Sequence, residues 1–430
     1  MSTISRQSSL RLSTGWRAEP GTRAASNSDL CAIMKSLLET HAEDQSVLGA
    51  RQTYPKADNL LSSLENKCEA SGLLGRSWDS LVQLLSQLSQ SGSVYADRII
   101  ERRNEGRHAA LRIEEGPSTG LRLISDGSGS SREAAPQVSP KTGDRLYDLA
   151  LLLTTLLEDG QRSHANIAMN TYFDATREPD QDLGVLSFFM AARALDRAAD
   201  ANASGDIQTS DARIQLARSL IVNKKPAVTA ICVASSPPSS LIGLRIASEL
   251  SGPCGARRLS AASILNELRQ TVWSGPLASA GQEPAGRATV YRLLAQRTLF
   301  AVAANCSVVC EAPFIEAPAR SLIEAAARGG PFAGVCLCGR PSQHHISSSD
   351  SSGAGASLNP HRPEAHCNQE ALDGWLRLNH LTDDDVPRAT GAVLRHIETQ
   401  RRTWENSLPS GDLSLAGSRS GSVTVLPFKS

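Results

Sequence analysis

The chain has 430 residues, 40% of them apolar, and its 44 basic and 44 acidic side chains give a formal net charge of zero. This balance leaves no net field to attract nucleic acid or an anionic membrane, and no apolar run approaches the roughly 18 residues of a transmembrane helix. The nine cysteines are scattered, several within apolar runs, which is typical of reduced thiols in a cytosol-like compartment.

Residues 1–30 differ in composition from the rest of the chain. Serines alternate with Arg6, Arg11 and Arg17, and no acidic residue precedes Glu19. Such a segment favours a disordered arm; it also fits an export segment, although it lacks the continuous apolar core of a signal peptide. The sequence predicts a cytoplasmic protein with a flexible arm, and secretion directed by that arm is the alternative.

Helical periodicity dominates residues 31–222, which we expect to form a mostly helical domain. Leucines recur at the spacing of one helix face, and Gly160 is well placed to end one of these helices. The Ser-, Gly- and Pro-rich stretch 125–141 is predicted to be a loop. The predicted helices lie around 81–88, 146–157, 183–199 and 212–221.

From residue 226 onward the pattern changes to alternating strands and helices. Apolar runs separated by helical segments are what a parallel sheet with crossover helices produces, so the predicted fold class is α/β. The stretch 341–363 is rich in serine and histidine and is predicted to be a disordered loop within the second domain, 226–430. Strands are predicted at 228–233, 307–310 and 332–338, and helices from Leu241 and at 317–327.

The loop after the first of these strands is the most informative segment. In a working phosphate-binding loop, glycines let backbone amides wrap the phosphates and a lysine neutralises them. Here Pro237 and Pro238 stand between two pairs of serines in the predicted loop 234–240. Proline has no amide hydrogen, so two in a row remove donors where a phosphate needs them. We therefore predict that the strand, loop and helix of the phosphate-binding scaffold are present but that the groups that would bind a nucleotide are lost.

Several segments together resemble bacterial two-domain proteins in which an aminoglycoside-phosphotransferase-like lobe precedes a P-loop ATPase domain. The resemblance spans roughly residues 95–415 and implies a kinase-like C-lobe remnant at 31–222, followed by a P-loop-kinase-like parallel α/β domain. It identifies the chain as a degenerate member of that family. The matching segments are 143–150, Tyr172, 188–199, 227–233, 255–259, 290–291 and 307–314.

The kinase-like lobe of that family uses a His-Gly-Asp-x-His segment followed by Asn, where the Asp orients the acceptor hydroxyl and the Asn helps to hold magnesium. The corresponding region here, 112–117, offers only Glu114 and Glu115 in what we predict to be a loop. The resemblance therefore implies that the catalytic loop of the first domain is altered.

In the second domain the ungapped match places Ser239 where the P-loop lysine belongs and Ser240 where the magnesium-binding hydroxyl belongs. Ala262 replaces the acidic residue that follows the second strand. Glu311 occupies the position of the Asp that ends the third strand, so one carboxylate is expected at the carboxyl edge of the sheet.

Other groups of residues give weaker evidence for a functional site. Cysteines and histidines gather between Cys336 and Cys367, but their spacing is not that of a known zinc site, and Cys336 and Cys338 alternate along a predicted strand as buried thiols. No metal is predicted. The isolated basic pair Arg257 and Arg258 is predicted to lie on a solvated helix face.

The retained scaffold and the missing phosphate-contacting groups favour a catalytically impaired kinase-like protein that binds or regulates an unknown protein partner without a nucleotide cofactor. One alternative is a weak phosphotransferase that uses ATP and magnesium. Another is an exported effector or adaptor addressed by the serine-rich arm. For the phosphotransferase, the candidate catalytic residues are Glu311 and Glu114, the candidate nucleotide contacts are Ser235, Ser239 and Ser240, and the charge would come from Lys224 or Lys225.

Overall fold

The computed structural model describes residues 27–43, 57–76, 78–110, 113–115, 121–123, 142–222, 225–233, 237–250, 252–271, 284–327, 330–339, 374–381 and 383–407. Most of the predicted arm 1–30, the predicted loops 125–141 and 341–363, and everything after Ser407 lie outside these ranges. The last four residues of the predicted arm, 27–30, are helical. Within the described ranges, no helix combines the length and apolarity needed to span a membrane.

The first half is mostly helical, as predicted, and its four predicted helices lie within α4, α5, α7 and α8. Asp144 caps the start of α5 by accepting a hydrogen bond from the amide of Leu146 at 2.8 Å. Gly160, with φ of +71°, follows its end as predicted. The helices are α1 Asn27–Glu43, α2 Ala57–Ala70, α3 Leu73–Arg76, α4 Trp78–Asn104, α5 Arg145–Glu158, α6 Arg162–Thr176, α7 Leu183–Ala203 and α8 Ile207–Ile221.

Four short strands interrupt this half and were not predicted. They are β1 His108–Ala110, β2 Ile113–Glu115, β3 Leu121–Leu123 and β4 Thr142–Asp144, and they pair antiparallel as β1 with β4 and β2 with β3. Glu114 and Glu115 therefore lie in a strand, opposite Arg122 and Leu121, and not in a loop. The apolar residues Leu121 and Leu123 alternate with Arg122, which is the two-residue period of a strand.

The second half is an α/β domain, as predicted. Its strands are β5 Val228–Val233, β6 Arg257–Ser260, β7 Val308–Ala312, β8 Phe332–Gly339 and β9 Leu376–Leu381, all parallel, in the order β6-β7-β5-β8-β9. The three predicted strands correspond to β5, β7 and β8. Its helices are α9 Pro237–Glu249, α10 Ala261–Thr271, α11 Pro284–Ala303, α12 Ala317–Ala326 and α13 Val386–Ser407.

Helices cover both faces of this sheet. Ile231 of the central strand β5 packs with residues of α9 and α13 on one face, whereas Val228, Ala230 and Cys232 join a second hydrophobic cluster on the other. That second cluster continues into the helical half. The two halves therefore share one apolar interior, and the Sγ of Cys254 lies 3.7 Å from the Sδ of Met190 across the seam.

The predicted loop 234–240 was partly wrong, because α9 already begins at Pro237. Proline suits the first turn of a helix, since its fixed φ is helical and the amide hydrogen it lacks would have no partner inside the helix. The two prolines thus begin the helix and do not belong to the loop before it.

A polar stripe on α6 docks the helical half onto the entrance of β6. Arg162, Asn166, Asn170 and Asp174 follow one another at four-residue spacing, so they share one helix face. Asn166 Nδ2 donates to the carbonyls of Cys254 and Ala256 at 2.7 and 2.9 Å. These bonds satisfy buried backbone groups of the segment that enters the sheet.

Arg257 completes this seam. Its side chain is fully buried and donates to Asp180 at 2.6 Å, to Asp174 at 2.6 Å and to Asn170 at 2.9 Å. Asp180 also accepts a hydrogen bond from Arg297 of α11 at 2.6 Å. The prediction that Arg257 lies on a solvated helix face was wrong, because strand β6 carries it into the contact between the two halves.

We expect Arg257→Met to lower the free energy of unfolding by about 3–5 kcal/mol, since removing one partner of a buried ion pair leaves the others uncompensated. Arg257→Lys should not rescue stability, because an ammonium cannot reproduce the planar fork of donors. Urea denaturation of both variants measures the effect. Arg388→Met, at an exposed position of α13, is the matched control and should stay within about 0.5 kcal/mol of the parent. Parent-like stability of Arg257→Met would contradict this assignment.

Candidate functional site

The candidate site lies at the carboxyl ends of the strands, where open parallel sheets bind their ligands. The central strand β5 ends at Val233 and α9 begins at Pro237. Ser235 lies between them, outside the described residues, and only the backbone is described for Ser239 and Ser240, which fall in the first turn of α9. Ser239 and Ser240 thus lie at the start of the helix that follows the central strand.

The first turn of α9 is poor in donors. A helix leaves its first four amides without partners inside the helix, and these amides are what binds a phosphate at a helix start. Pro237 and Pro238 occupy the first two of these positions. Two of the four donors are therefore missing, and this helix start also has no lysine.

Lys225, the candidate lysine that the structure describes, lies at the other edge of the sheet. Lys225 is exposed and precedes β5, whose six residues, at about 3.3 Å each, separate it by about 20 Å from the start of α9. Lys224 lies outside the described residues. The structure therefore does not bring Lys225 to the candidate site.

Glu311 lies on β7 near the carboxyl edge, as predicted, but its charge is already engaged. Both carboxylate oxygens accept hydrogen bonds from Arg258, at 2.6 Å from Nε and 2.8 Å from Nη2. Glu311 is only 6% exposed. Burial, the largest single influence, lowers the pKa of Arg258, but the hydrogen bonds to Glu311 and the charge of that carboxylate outweigh it, so the pKa of Arg258 lies above its usual value.

Gly243 of α9 makes room for this carboxylate. A methyl group at this position would overlap the Oε1 atom of Glu311. The glycine thus lets α9 pack directly over the Glu311–Arg258 pair. This pairing holds Glu311 under a helix and against a guanidinium that already donates to both of its carboxylate oxygens.

Glu114 belongs to a different part of the molecule. Its strand β2 pairs with β3, whereas Glu311 lies in the five-stranded sheet. The two candidate catalytic carboxylates are therefore not members of one sheet edge. Among the residues that the structure describes, no group of three or more His, Cys, Asp or Glu side chains is arranged to hold a metal ion.

A buried trio that the sequence analysis missed resembles a catalytic relay. The Nδ1 of His41 lies 2.7 Å from the hydroxyl of Tyr172, and its Nε2 lies 3.4 Å from the Oδ2 of Asp148. All three side chains are at most 1% exposed, and burial raises the pKa of Tyr172 well above its usual value. No substrate reaches this trio; it fastens α1 to α5 and α6. The long separation along the chain left no local signal for it.

Arg102 is the centre of a second buried network. Its guanidinium makes two 2.7 Å hydrogen bonds to Asp144, one of 2.6 Å to Glu178 and one of 2.5 Å to Asp182. Arg98 also pairs with Asp182. The acidic groups, including the Asp144 of the segment that carries the kinase resemblance, are thereby bound to arginines of α4 and hold the helical half together.

The cysteines of the sheet are structural. Cys310 is fully buried in β7, its Sγ lies 3.1 Å from the hydroxyl of Thr298, and burial raises the pKa of its thiol to about 12. A thiol with such a pKa is protonated at neutral pH and is a poor nucleophile. Cys336 is likewise buried in β8.

Comparison with models of protein families, with curated proteins and with solved structures gave no match. The residues of this chain and their geometry therefore carry the functional argument.

We expect Gly243→Ala to lower the free energy of unfolding by about 1–3 kcal/mol, because the added methyl group displaces Glu311 or α9. In a Glu311→Ala background the same change should be neutral or stabilising, since alanine favours a helix by about 1 kcal/mol over glycine. A double-mutant cycle in urea measures this coupling. Equal costs in both backgrounds would show that Glu311 is not what Gly243 accommodates.

We expect alkaline pH to reduce the contribution of the Cys310 thiol to the free energy of unfolding. An unfolded thiol ionises near pH ~8.5, whereas the folded Cys310 stays protonated to about pH 12. The stability it contributes is complete below the unfolded pKa and declines as pH rises toward the folded pKa, by at most about 1.36 kcal/mol per unit.

The stability difference between the parent and Cys310→Ala should therefore shrink between about pH 8.5 and about pH 10.5, as measured by urea denaturation. Cys31→Ala, at an exposed position of α1, is the control and should follow the parent. A pH-independent difference for Cys310→Ala would contradict the assignment of a buried, protonated thiol.

Proposed function

We propose that this protein is a catalytically impaired relative of kinase-like and P-loop proteins that acts by binding or regulating another protein. The observation that carries the proposal is the start of α9, where Pro237 and Pro238 occupy the first helical turn directly behind the central strand. A phosphate-binding scaffold with its donors removed supports a binding function over phosphoryl transfer.

The neighbourhood of that helix start supports the same proposal. Glu311, which the family resemblance offers as a metal-binding or basic carboxylate, is neutralised by Arg258 under α9. Phosphoryl transfer depends on charges aimed at the transferring group, and losing such charges typically costs several kcal/mol of transition-state stabilisation. Loss of the lysine, the glycines and a free carboxylate together leaves little of that stabilisation.

The buried contacts between the helical half and the sheet support a rigid protein with a fixed binding surface. The polar stripe of α6 and the buried Arg257 hold the helical half against the sheet. Surface residues of one half therefore keep fixed positions relative to those of the other half. The balanced net charge favours a protein partner over nucleic acid.

A weak ATP-dependent phosphotransferase is the second candidate, because Glu311 does lie near the carboxyl edge of β7. This candidate requires Glu311 to leave Arg258 and Ser240 to contact magnesium. It predicts that ATP and magnesium bind, which the main proposal does not.

We expect millimolar ATP with magnesium to leave the melting temperature of the parent unchanged, whereas a ligand at about 100 times its Kd would stabilise the fold by about 2.7 kcal/mol. Thermal shift and calorimetric titration measure this. Pro238→Gly combined with Ser239→Lys restores one amide donor and the neutralising charge, and this variant should gain nucleotide-dependent stabilisation. Ser239→Lys alone is the matched control and should gain less.

Micromolar ATP binding by the parent, or phosphate release that Ser240→Ala or Glu311→Gln abolishes, would overturn the main proposal. The phosphotransferase would then be the better account.

A further inference from the structure

A cavity of about 360 Å³ lies between the two halves, at the amino-terminal edge of the sheet. Its walls come from α4, α6, α7 and the end of α8 in the helical half, from the end of α9, and from the segments that lead into β6 and β7. The start of α9 is at the opposite edge, so the cavity is separate from the candidate phosphate site. The residues that the argument uses are Tyr95, Arg162, Met169, Ser187, Phe188 and Met190.

Part of the wall from the helical half is apolar, and the rest of it is polar. Met169, Phe188 and Met190 supply two flexible thioethers and an aromatic ring, and methionine adapts its shape to irregular ligands. An apolar cavity of about 150 Å³ holds benzene, so this one has room for a molecule about twice that size. Its volume also falls within the range of ordinary small-molecule sites, which favour boundaries between structural units.

One cation lines this cavity. Arg162 of α6 uses Nη2 to donate to the carbonyl oxygens of Leu250 and Gly252, the latter at 2.7 Å. Its Nε atom is buried and lacks a hydrogen-bond partner within the described ranges. Glu249 is exposed on the rim and forms no ion pair with Arg162.

This environment differs from that of the arginines at the centres of the networks described above. Arg102, Arg257 and Arg258 each carry at least one carboxylate at hydrogen-bonding distance. Over the part of the chain that the structure describes, Arg162 has only neutral carbonyls as partners. A half-buried guanidinium whose partners are neutral carbonyls is stabilised further when an anion lies beside it.

We propose that the cavity binds a small amphipathic carboxylate, with the carboxylate on Arg162 and an apolar chain or ring against Met169, Phe188 and Met190. A single guanidinium suits one carboxylate, whereas it would leave most charges of a polyphosphate unpaired. Tyr95 adds a hydroxyl, which is held in place because its ring packs directly on Gly184. Burial raises the pKa of Tyr95, so this hydroxyl stays protonated and can donate. The proposal is independent of whether α9 binds nucleotide.

Two probes test it on the full chain by calorimetric titration: decanoate, with a straight chain, and 2-naphthoate, with a fused ring. We expect at least one to bind with one molecule per chain. Its neutral counterpart, decanol or 2-naphthol, should bind at least about tenfold more weakly, because a hydrogen bond to a charged group is lost. This comparison uses the parent alone and does not depend on a variant folding.

Two variants locate the site. Arg162→Met should weaken binding of the carboxylate about tenfold or more and leave the neutral counterpart unchanged, whereas Arg388→Met should alter neither. Ser187→Phe, which places a ring inside the cavity from α7, should abolish binding of both forms. Failure of both carboxylates to bind the parent, binding that does not distinguish carboxylate from alcohol, or binding that survives both Arg162→Met and Ser187→Phe would overturn the proposal.

Discussion

The buried guanidinium of Arg257 joins the helical half to the sheet. It leaves strand β6, where it would otherwise be an unpaired charge in an apolar interior, and binds Asp174 and Asp180 together with the amide oxygen of Asn170. Because Asp180 also binds Arg297, α6, the turn before α7, strand β6 and helix α11 all meet at these charges. The apolar cluster supplies most of the burial, but this network specifies how the two halves fit.

Local pattern was enough to predict the elements with strong periodicity, such as α5, α7, β5 and the α/β class. The edge strand β9 was missed although Leu376 and Leu378 alternate with Arg377 and Asn379, because a run this short gives only a weak strand signal. The missing phosphate donors could be read from Pro237 and Pro238, although the helix boundary could not, because proline is equally common in loops and in first turns. The partners of Glu311 and Arg257 could not be predicted, since each contact joins residues more than 50 positions apart.

The two ends of the sheet therefore differ in chemistry. The carboxyl edge, where such folds usually bind their ligand, has proline at the helix start and an internally paired carboxylate. The amino edge faces the helical half and encloses a cavity with an arginine that lacks an acidic partner among the described residues. The cavity that we propose as a binding site and the edge inferred from the family resemblance therefore lie at opposite ends of the strands.

The close packing of Gly243 on Glu311 also restricts how this scaffold can be altered by stepwise substitution. Freeing the carboxylate for chemistry requires replacing Arg258, yet that replacement alone buries an unpaired negative charge beneath α9. Enlarging Gly243 first encounters a steric overlap. Either single substitution is expected to destabilise the fold, so Gly243, Arg258 and Glu311 can be exchanged without loss of stability only in combination.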